Sequence, residues 1–285
     1  MRIKLFQTII DRIRNKRLTQ LEQIVRNLQS KIPDAFGIDS FIRGSNNKII
    51  YIHNDNETEI SKIGLNCSIK IVGSDNLICF YSSNNISDTF PTGLKLKIYG
   101  NNNIIKIYEP NFAMSEIYME NDNNYLEIQK TVKFVEGAFF CVEDGASLII
   151  EKDCEIGNGK LRIIANGDYK TKHKIHIKEG TFIAHDTLIR NSDGQSLIDP
   201  ETNLPLSEPQ DIIIEKHVWI MSRCIILKGT ELAEGSAVAA NSLVNKKFTE
   251  PNVLLAGSSA KILRHNIRWG EPYGKLMRQL ESKGV

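Results

Sequence analysis

The sequence predicts an all-β solenoid, a parallel β-helix preceded by an amphipathic α-helix and followed by a short C-terminal one. Two observations predict the solenoid. Ile214, Ile220, Ile226, Leu232, Val238 and Val244 recur every six residues, and Val218, Cys224, Thr230, Ser236 and Ser242 form a second period-six series between them. Neither the helical period of 3.6 nor the strand period of 2 yields a strict six. A triangular coil does, because each flat face then contributes one inward aliphatic while a small residue tucks in near the corner. Upstream, a Gly-Asn-Asn turn recurs between short runs of alternating apolar and polar residues.

Residues 1–35 form the first segment. Between positions 1 and 32 eight Lys or Arg stand against two acids, and Leu21, Val25, Leu28 and Ile32 share one helical face. With few bulky aromatics beside the cations, this helix is expected to pack on the next domain and not on a membrane surface. After Pro33 the helical period stops. Residues 36–150 are read as irregular solenoid coils. Their copies are Phe41-Ile-Arg-Gly-Ser-Asn-Asn-Lys-Ile49, Ile69-Lys-Ile-Val-Gly-Ser-Asp-Asn-Leu-Ile78, Leu96-Lys-Ile-Tyr-Gly-Asn-Asn-Asn-Ile-Ile105 and the looser Glu120-Asn-Asp-Asn-Asn-Tyr-Leu126. Gly and Asn tolerate left-handed backbone, so each copy reads as a strand ending in a tight turn. The regular Ile, Leu and Val between the Asn pairs argue against Asn-rich disorder.

Residues 151–262 hold the regular coils. Ile177, Ile183 and Ile189, with Thr181 and Thr187, extend both period-six series upstream. Between the two blocks, residues 190–213 break phase and contain Gly194, Pro200, Pro205 and Pro209, so they are expected to be a loop extruded from the solenoid. Residues 263–285 are a tail with a helix from Tyr273 to Ser282, expected to cover the strand edges of the last coil.

Composition narrows the function. The longest apolar runs fall far short of the roughly 20 residues a membrane span needs, and the charged N-terminus does not resemble a signal peptide. The expected location is therefore cytoplasmic. Five widely spaced cysteines without a CxxC pair suit buried free thiols better than disulfides or zinc, and no metal is implied. A formal charge of +2 gives no reason to expect nucleic acid as a partner.

The run Ile214-Glu-Lys-His-Val-Trp-Ile-Met-Ser-Arg-Cys-Ile-Ile-Leu-Lys-Gly229, the Gly-Ser-Ala-Val-Ala-Ala-Asn-Ser-Leu-Val run from Gly235, and Ala256-Gly-Ser-Ser-Ala-Lys-Ile-Leu-Arg264 resemble hexapeptide-repeat O-acetyltransferases, most closely those that modify bacterial surface polysaccharides, sialic acid capsules included. The resemblance covers residues 175–270 well and the Gly-Asn-Asn coils loosely. It implies a left-handed β-helix, a homotrimer, and acetyl-CoA as the donor, bound in a groove between subunits. By the same resemblance Ala239, Ala240 and Asn241 line the pantetheine, Gly257 marks the adenine end, and Lys246, Lys261 and Arg264 stand where cations meet the CoA phosphates. Each cation could instead be a solvated surface charge, but the phosphate role is preferred for Lys261 and Arg264 because they follow the Ala256-Gly257 turn. Where the family has Gly, this chain has Met221, Ala239 and Asn241, and where it has Pro, this chain has Ser259; the added bulk is expected to narrow the groove.

The family's catalytic segment reads Ser-Asp-Gly-His-Ser, and its histidine takes the proton from the attacking hydroxyl. Here the segment is Ser192-Asp193-Gly194-Gln195-Ser196. An amide does not accept that proton at neutral pH, whereas imidazole with a reference pKa of about 6.5 does. His185 and His217 are the alternative bases by register, each also readable as an ordinary surface histidine. Trp219, one residue before the inward Ile220, should project outward near the loop, where it would touch the thioester sulfur or the acceptor. The leading expectation is transfer of an acetyl group from acetyl-CoA to a hydroxyl of a surface polysaccharide or its sugar precursor, impaired or absent if Gln195 has no substitute. The alternatives are a non-catalytic glycan-binding or assembly homologue, and an N-acetyltransferase on a nucleotide-linked amino sugar.

Overall fold

The computed structural model describes residues 39–53, 56–59, 67–82, 93–109, 115–134, 137–157, 159–168, 170–270 and 273–283. The basic amphipathic helix expected in residues 1–35 lies outside them. Three sheets account for the described strands. The first face runs from Asp39–Arg43 to Leu243–Val244, all nine strands parallel. The second runs from Lys48–His53 to Lys247–Phe248, with Asn56–Glu59 added antiparallel at its outer edge. The third begins at Lys133–Phe134 and ends with Lys261–Arg264 antiparallel to Leu254–Ala256. The chain passes from first face to second to third and back to the first, which is a β-helix.

Register confirms the six-residue period. Ile226 pairs with Val244, eighteen residues on, one residue set of six per face. All the inward aliphatics from Ile177 to Val244 are fully buried. Each such side chain contributes about 1.5–3 kcal/mol relative to exposure, so the stack holds the coils in phase. The interleaved small residues do more than fit the corners. Thr181 Oγ1 donates to Glu215 O at 3.2 Å, Thr230 Oγ1 donates to Val244 O at 3.2 Å, and Ser242 Oγ accepts from the Gly257 N–H at 3.1 Å. Buried hydroxyls thus satisfy backbone groups of the neighbouring coil at the turns.

In the earlier coils an asparagine ladder takes that role. Asn76 Oδ1 accepts from the Asn103 N–H at 3.0 Å, Asn103 Oδ1 from the Asn124 N–H at 2.9 Å, and Asn124 Oδ1 from the Gly145 N–H at 2.9 Å. The glycine three residues before each of the first asparagines is forced by contact. Gly73 has φ +147°, and a Cβ there would lie 1.8 Å from Gly100 O. The Gly-x-Asn/Asp-Asn repeat is therefore a corner motif, with Gly for close approach between coils and the last Asn for the ladder.

All five cysteines are free and buried, and burial pushes the Cys154 thiol up to about 12. At the C-terminal end, the strand Lys261–Arg264 covers the third face's last edge. Trp269 reaches back so that its indole N–H donates to His217 O at 2.8 Å. The helix Tyr273–Glu281 buries none of its residues, so the covering is done by the strand and Trp269.

Candidate active site

The extruded loop leaves the corner between the first and second faces. Ile189 pairs with Ile226, thirty-seven residues on, where a plain coil needs eighteen. The excess is the excursion between Asn191 and Gln210, closed at its base by a 3.0 Å bond from Gln210 N–H to Asn191 O. Asn191 is fully buried and clamps the coil below, donating Nδ2–H to Asn166 O at 2.9 Å and accepting the Asn166 N–H at 2.7 Å. Ser192 Oγ donates to Asn166 Oδ1 at 2.6 Å. Asp193 is tied down next: the Lys228 ammonium and, at 2.6 Å, the Ser207 hydroxyl both donate to its Oδ2. These two bonds hold its carboxyl below the usual carboxylate range, Lys228 first. Gly194 has φ +81°, and a Cβ would meet Arg190 Nη2 at 2.3 Å. Glycine takes this left-handed conformation without strain, and the chain turns there to present Gln195.

Gln195 is exposed at the lip of a cleft of about 720 Å³ whose walls include Asp144, Asn166, Asp168, Ser207 and Glu208. Asp168 is held ionised by the Thr171 and Lys170 backbone N–H groups. The outer part of the loop is a hairpin joined by the Ile198–Pro205 bridge and the Leu206 N–H to Leu197 O bond of 2.7 Å. It exposes Leu197, Leu204 and Leu206 by more than 60% each.

Trp219 lies elsewhere. It starts a strand of the third face, whereas the loop leaves the corner between the other two. The expected proximity of Trp219 to the loop therefore fails within one chain: six-residue register sets direction outward but not which corner carries the loop. Trp219 stacks on Phe182, centroids 6.5 Å apart at 7°, and meets Trp269 at 5.9 Å. Its buried indole Nε1 has no hydrogen-bond partner. His217 stacks flat on Trp269 at 4.1 Å.

The third-to-first corner gathers another set. Ala239, Ala240 and Asn241 follow the strand Ala237–Val238, Asn241 in the left-handed conformation at φ 59°, and its N–H donates to Ser222 O at 3.1 Å. Gly257, φ +105°, receives Leu243 N–H at 3.0 Å on the coil above. Below, on the same corner, Ser222 Oγ and His185 Nε2 stand 3.0 Å apart, and His185 Nδ1 lies 3.0 Å from Asp186 Oδ2. A carboxylate can only accept, so in the neutral ring Nδ1 carries the proton and Nε2 is left as acceptor for the Ser222 hydroxyl. Lys261 and Arg264 lie exposed on the strand that covers the third face. Lys246 does not join them. It follows the first-face strand Leu243–Val244 and sits 5.2 Å over the Phe248 ring.

The structure thus brings Gln195 and Asp193 together, and His185 onto the edge of Ala239–Asn241, but keeps the two groups on different corners. Sequence reasoning missed Lys228, Ser207, Ser222 and Asp186. Ser222 was within reach: subtracting the nineteen-residue excursion from its spacing to His185 leaves one coil. Lys228 and Ser207 gave no such signal, since their partner depends on how the loop folds back.

No family model matches the chain. A polysialic acid O-acetyltransferase from Escherichia coli O1:K1 / APEC is 30% identical over 146 residues, 51% of this chain and 44% of that protein. The chain thus spans less than half the length of the curated relative it matches. Among solved structures, the polySia-specific acetyltransferase NeuO superposes with a TM-score of 0.64 at 26% identity, over 77% of this chain and 99% of that one. The polysialic acid O-acetyltransferase OatWY superposes only at 0.36 with 20% identity, over 87% of this chain and 97% of that one, too loosely to inform the site.

Proposed function

We propose that this chain, which is similar to polysialic acid O-acetyltransferases, is a hexapeptide-repeat acyltransferase that moves an acetyl group from acetyl-CoA to a hydroxyl of a bacterial surface glycan or its precursor. The observation that carries this reading is the clamped Ser192–Gln195 turn over a cleft walled by carboxylates and amides, the groups that hydrogen-bond sugar hydroxyls. The coil is taken to be left-handed and the reaction cytoplasmic, where acetyl-CoA is supplied.

The acceptor hydroxyl attacks the thioester carbonyl, its proton passes to a base, and the CoA thiolate departs. The donor lies along the corner of Ala239, Ala240 and Asn241, whose small side chains let pantetheine approach the backbone, with Lys261 and Arg264 toward the phosphates. Cleft and donor edge occupy different corners of one chain, so the site is completed by a second copy. A symmetric trimer in which one subunit's loop lies over its neighbour's third face joins Gln195 to Trp219. The exposed Leu197, Leu204 and Leu206 suit such a contact. A monomer at micromolar concentration in sedimentation would remove this arrangement.

Gln195 cannot be the base. His185, oriented by Asp186 and facing Ser222, is the imidazole on the donor edge that has both ring nitrogens engaged. The neutral amide also favours a second reading, a glycan-binding homologue that kept the scaffold and lost the chemistry. Calorimetry with CoA and mass detection of O-acetyl groups on offered glycans separate the two. CoA binding with transfer supports the enzyme; no heat at millimolar CoA supports the binding protein.

A further inference from the structure

The cleft at Gln195 does not end there. It continues along the first-to-second corner into a second cavity of about 440 Å³ that shares Asp144, Asp168 and Lys170 with it. The common groove crosses the corners at Asn121–Asn123, Asp144–Gly145, Asn166–Asp168 and Ser192, on four successive coils. At a strand spacing of about 4.8 Å it runs for about 14 Å before the loop is counted, longer than a single pyranose ring. Its charge is net negative. Asp193 is matched by Lys228, which leaves Asp122, Asp144, Asp168 and Glu208 against Lys170, Lys172 and the Arg190 guanidinium packed beside Gly194. The rest of the wall is Asn, Ser, Thr and Gln, with Gly, Pro and Leu204 between.

We infer that this groove is the acceptor subsite and that it takes a neutral, hydroxyl-rich glycan segment of more than one sugar, in preference to a polyanionic one. Planar carboxylates and amides pair with vicinal sugar hydroxyls, each oxygen accepting and each amide N–H donating. A carboxylated chain would instead lay one negative charge per ring along a wall that already has an excess of one. The inference deepens the acyltransfer reading and rests on it for the word acceptor; the binding preference itself does not.

The test is binding of two oligosaccharide ladders of matched length to the full chain, one of uncharged hexoses and one of a carboxylated sugar, by saturation-transfer NMR and calorimetry without acetyl-CoA. Affinity for the neutral ladder should rise with length and level off when the groove is filled. At low salt the carboxylated ladder should bind about fivefold more weakly, the effect of one excess like charge at about 1 kcal/mol under water-like screening, and the gap should narrow as salt is added. Asp144→Asn with Glu208→Gln should close most of it. If that variant does not fold, the salt dependence of the unaltered chain remains the test. Tighter binding of the carboxylated ladder at low salt, or affinity that does not change with length, overturns the inference. Neutral binding without acetyl transfer under any condition would instead sink the acyltransfer reading and leave this one standing. Transfer onto carboxylated chains but not neutral ones would do the reverse.

Discussion

Gln195→His is the perturbation that most directly tests the site. General-base assistance is worth on the order of 10² to 10⁴ in rate. The structure puts the expected gain near the lower end. Gln195 is exposed at the cleft's lip, and the nearest carboxylate in sequence, Asp193, is already occupied by Lys228 and Ser207. A new imidazole would therefore lack a held partner to fix its tautomer and orientation. A gain of about 10² in kcat corresponds to about 2.7 kcal/mol of transition-state stabilisation. Because Asp144, Asp168 and Glu208 share the cleft, they favour the protonated ring, and the pH–rate curve should rise above the reference value of about 6.5. The assay is CoA release with a glycan acceptor, alongside CoA affinity by calorimetry. Affinity should be unchanged, since the ring acts mainly in the transition state. If the Gln195 chain is already as active as the variant and His185→Ala abolishes that activity, the base is the Asp186-oriented imidazole on the donor edge, and assigning position 195 to proton transfer is wrong.

Replacing Lys261 and Arg264 together by Ala should weaken CoA binding by about 10-fold, the effect of two exposed charge contacts of up to 1 kcal/mol each, and leave thermal stability unchanged; equal affinity by calorimetry would assign the phosphates to other cations. Gly73→Ala should lower the melting temperature steeply, because the added methyl would lie 1.8 Å from Gly100 O and φ is +147°; strain of about 3 kcal/mol or more is expected, and an unchanged melt would refute the corner contact. The Asp193 carboxyl is held low in the folded state, so its tie to Lys228 contributes fully above the unfolded carboxylate pKa of about 3.9 and is lost as pH falls through the folded value. With Asp193 partly exposed the loss is about 1 kcal/mol, read as faster proteolysis of the 191–210 loop below about pH 4. Lys228→Met should make cleavage fast at neutral pH already and flatten that acid response.

Much of the fold was legible because a solenoid is a one-dimensional object. Each inward position sees the same position one coil away, so Ile214, Ile220 and Ile226 had to recur at a fixed interval whatever the rest of the chain did. The Gly-Asn-Asn copies announced turns for a related reason: Gly73 and Asn76 each touch the equivalent turn of the neighbouring coil. Their spacing varies because the connections back to the first face vary in length, from Tyr81 to Lys95 in one coil and from Tyr108 to Glu116 in the next. That variation hid the coil length and so the third face.

The site was legible in its residues and not in its assembly. Periodicity says that Trp219 and His185 point outward, and the phase break says that a loop leaves between Ile189 and Ile212. Neither says that the loop departs from one corner while Trp219 lies on the face opposite. That follows only from counting faces: a strand of the first face precedes the loop, a strand of the second follows it, and Trp219 opens the third. The same count places Ser222 over His185 and Lys246 away from Lys261. Tertiary partners that depend on the path of an irregular loop, such as Lys228 and Ser207 on Asp193, leave no periodic trace. Yet these partners fix the turn that presents Gln195. A regular scaffold therefore advertises where chemistry can be mounted, while the irregular segment that mounts it must be seen folded before its groups can be assigned.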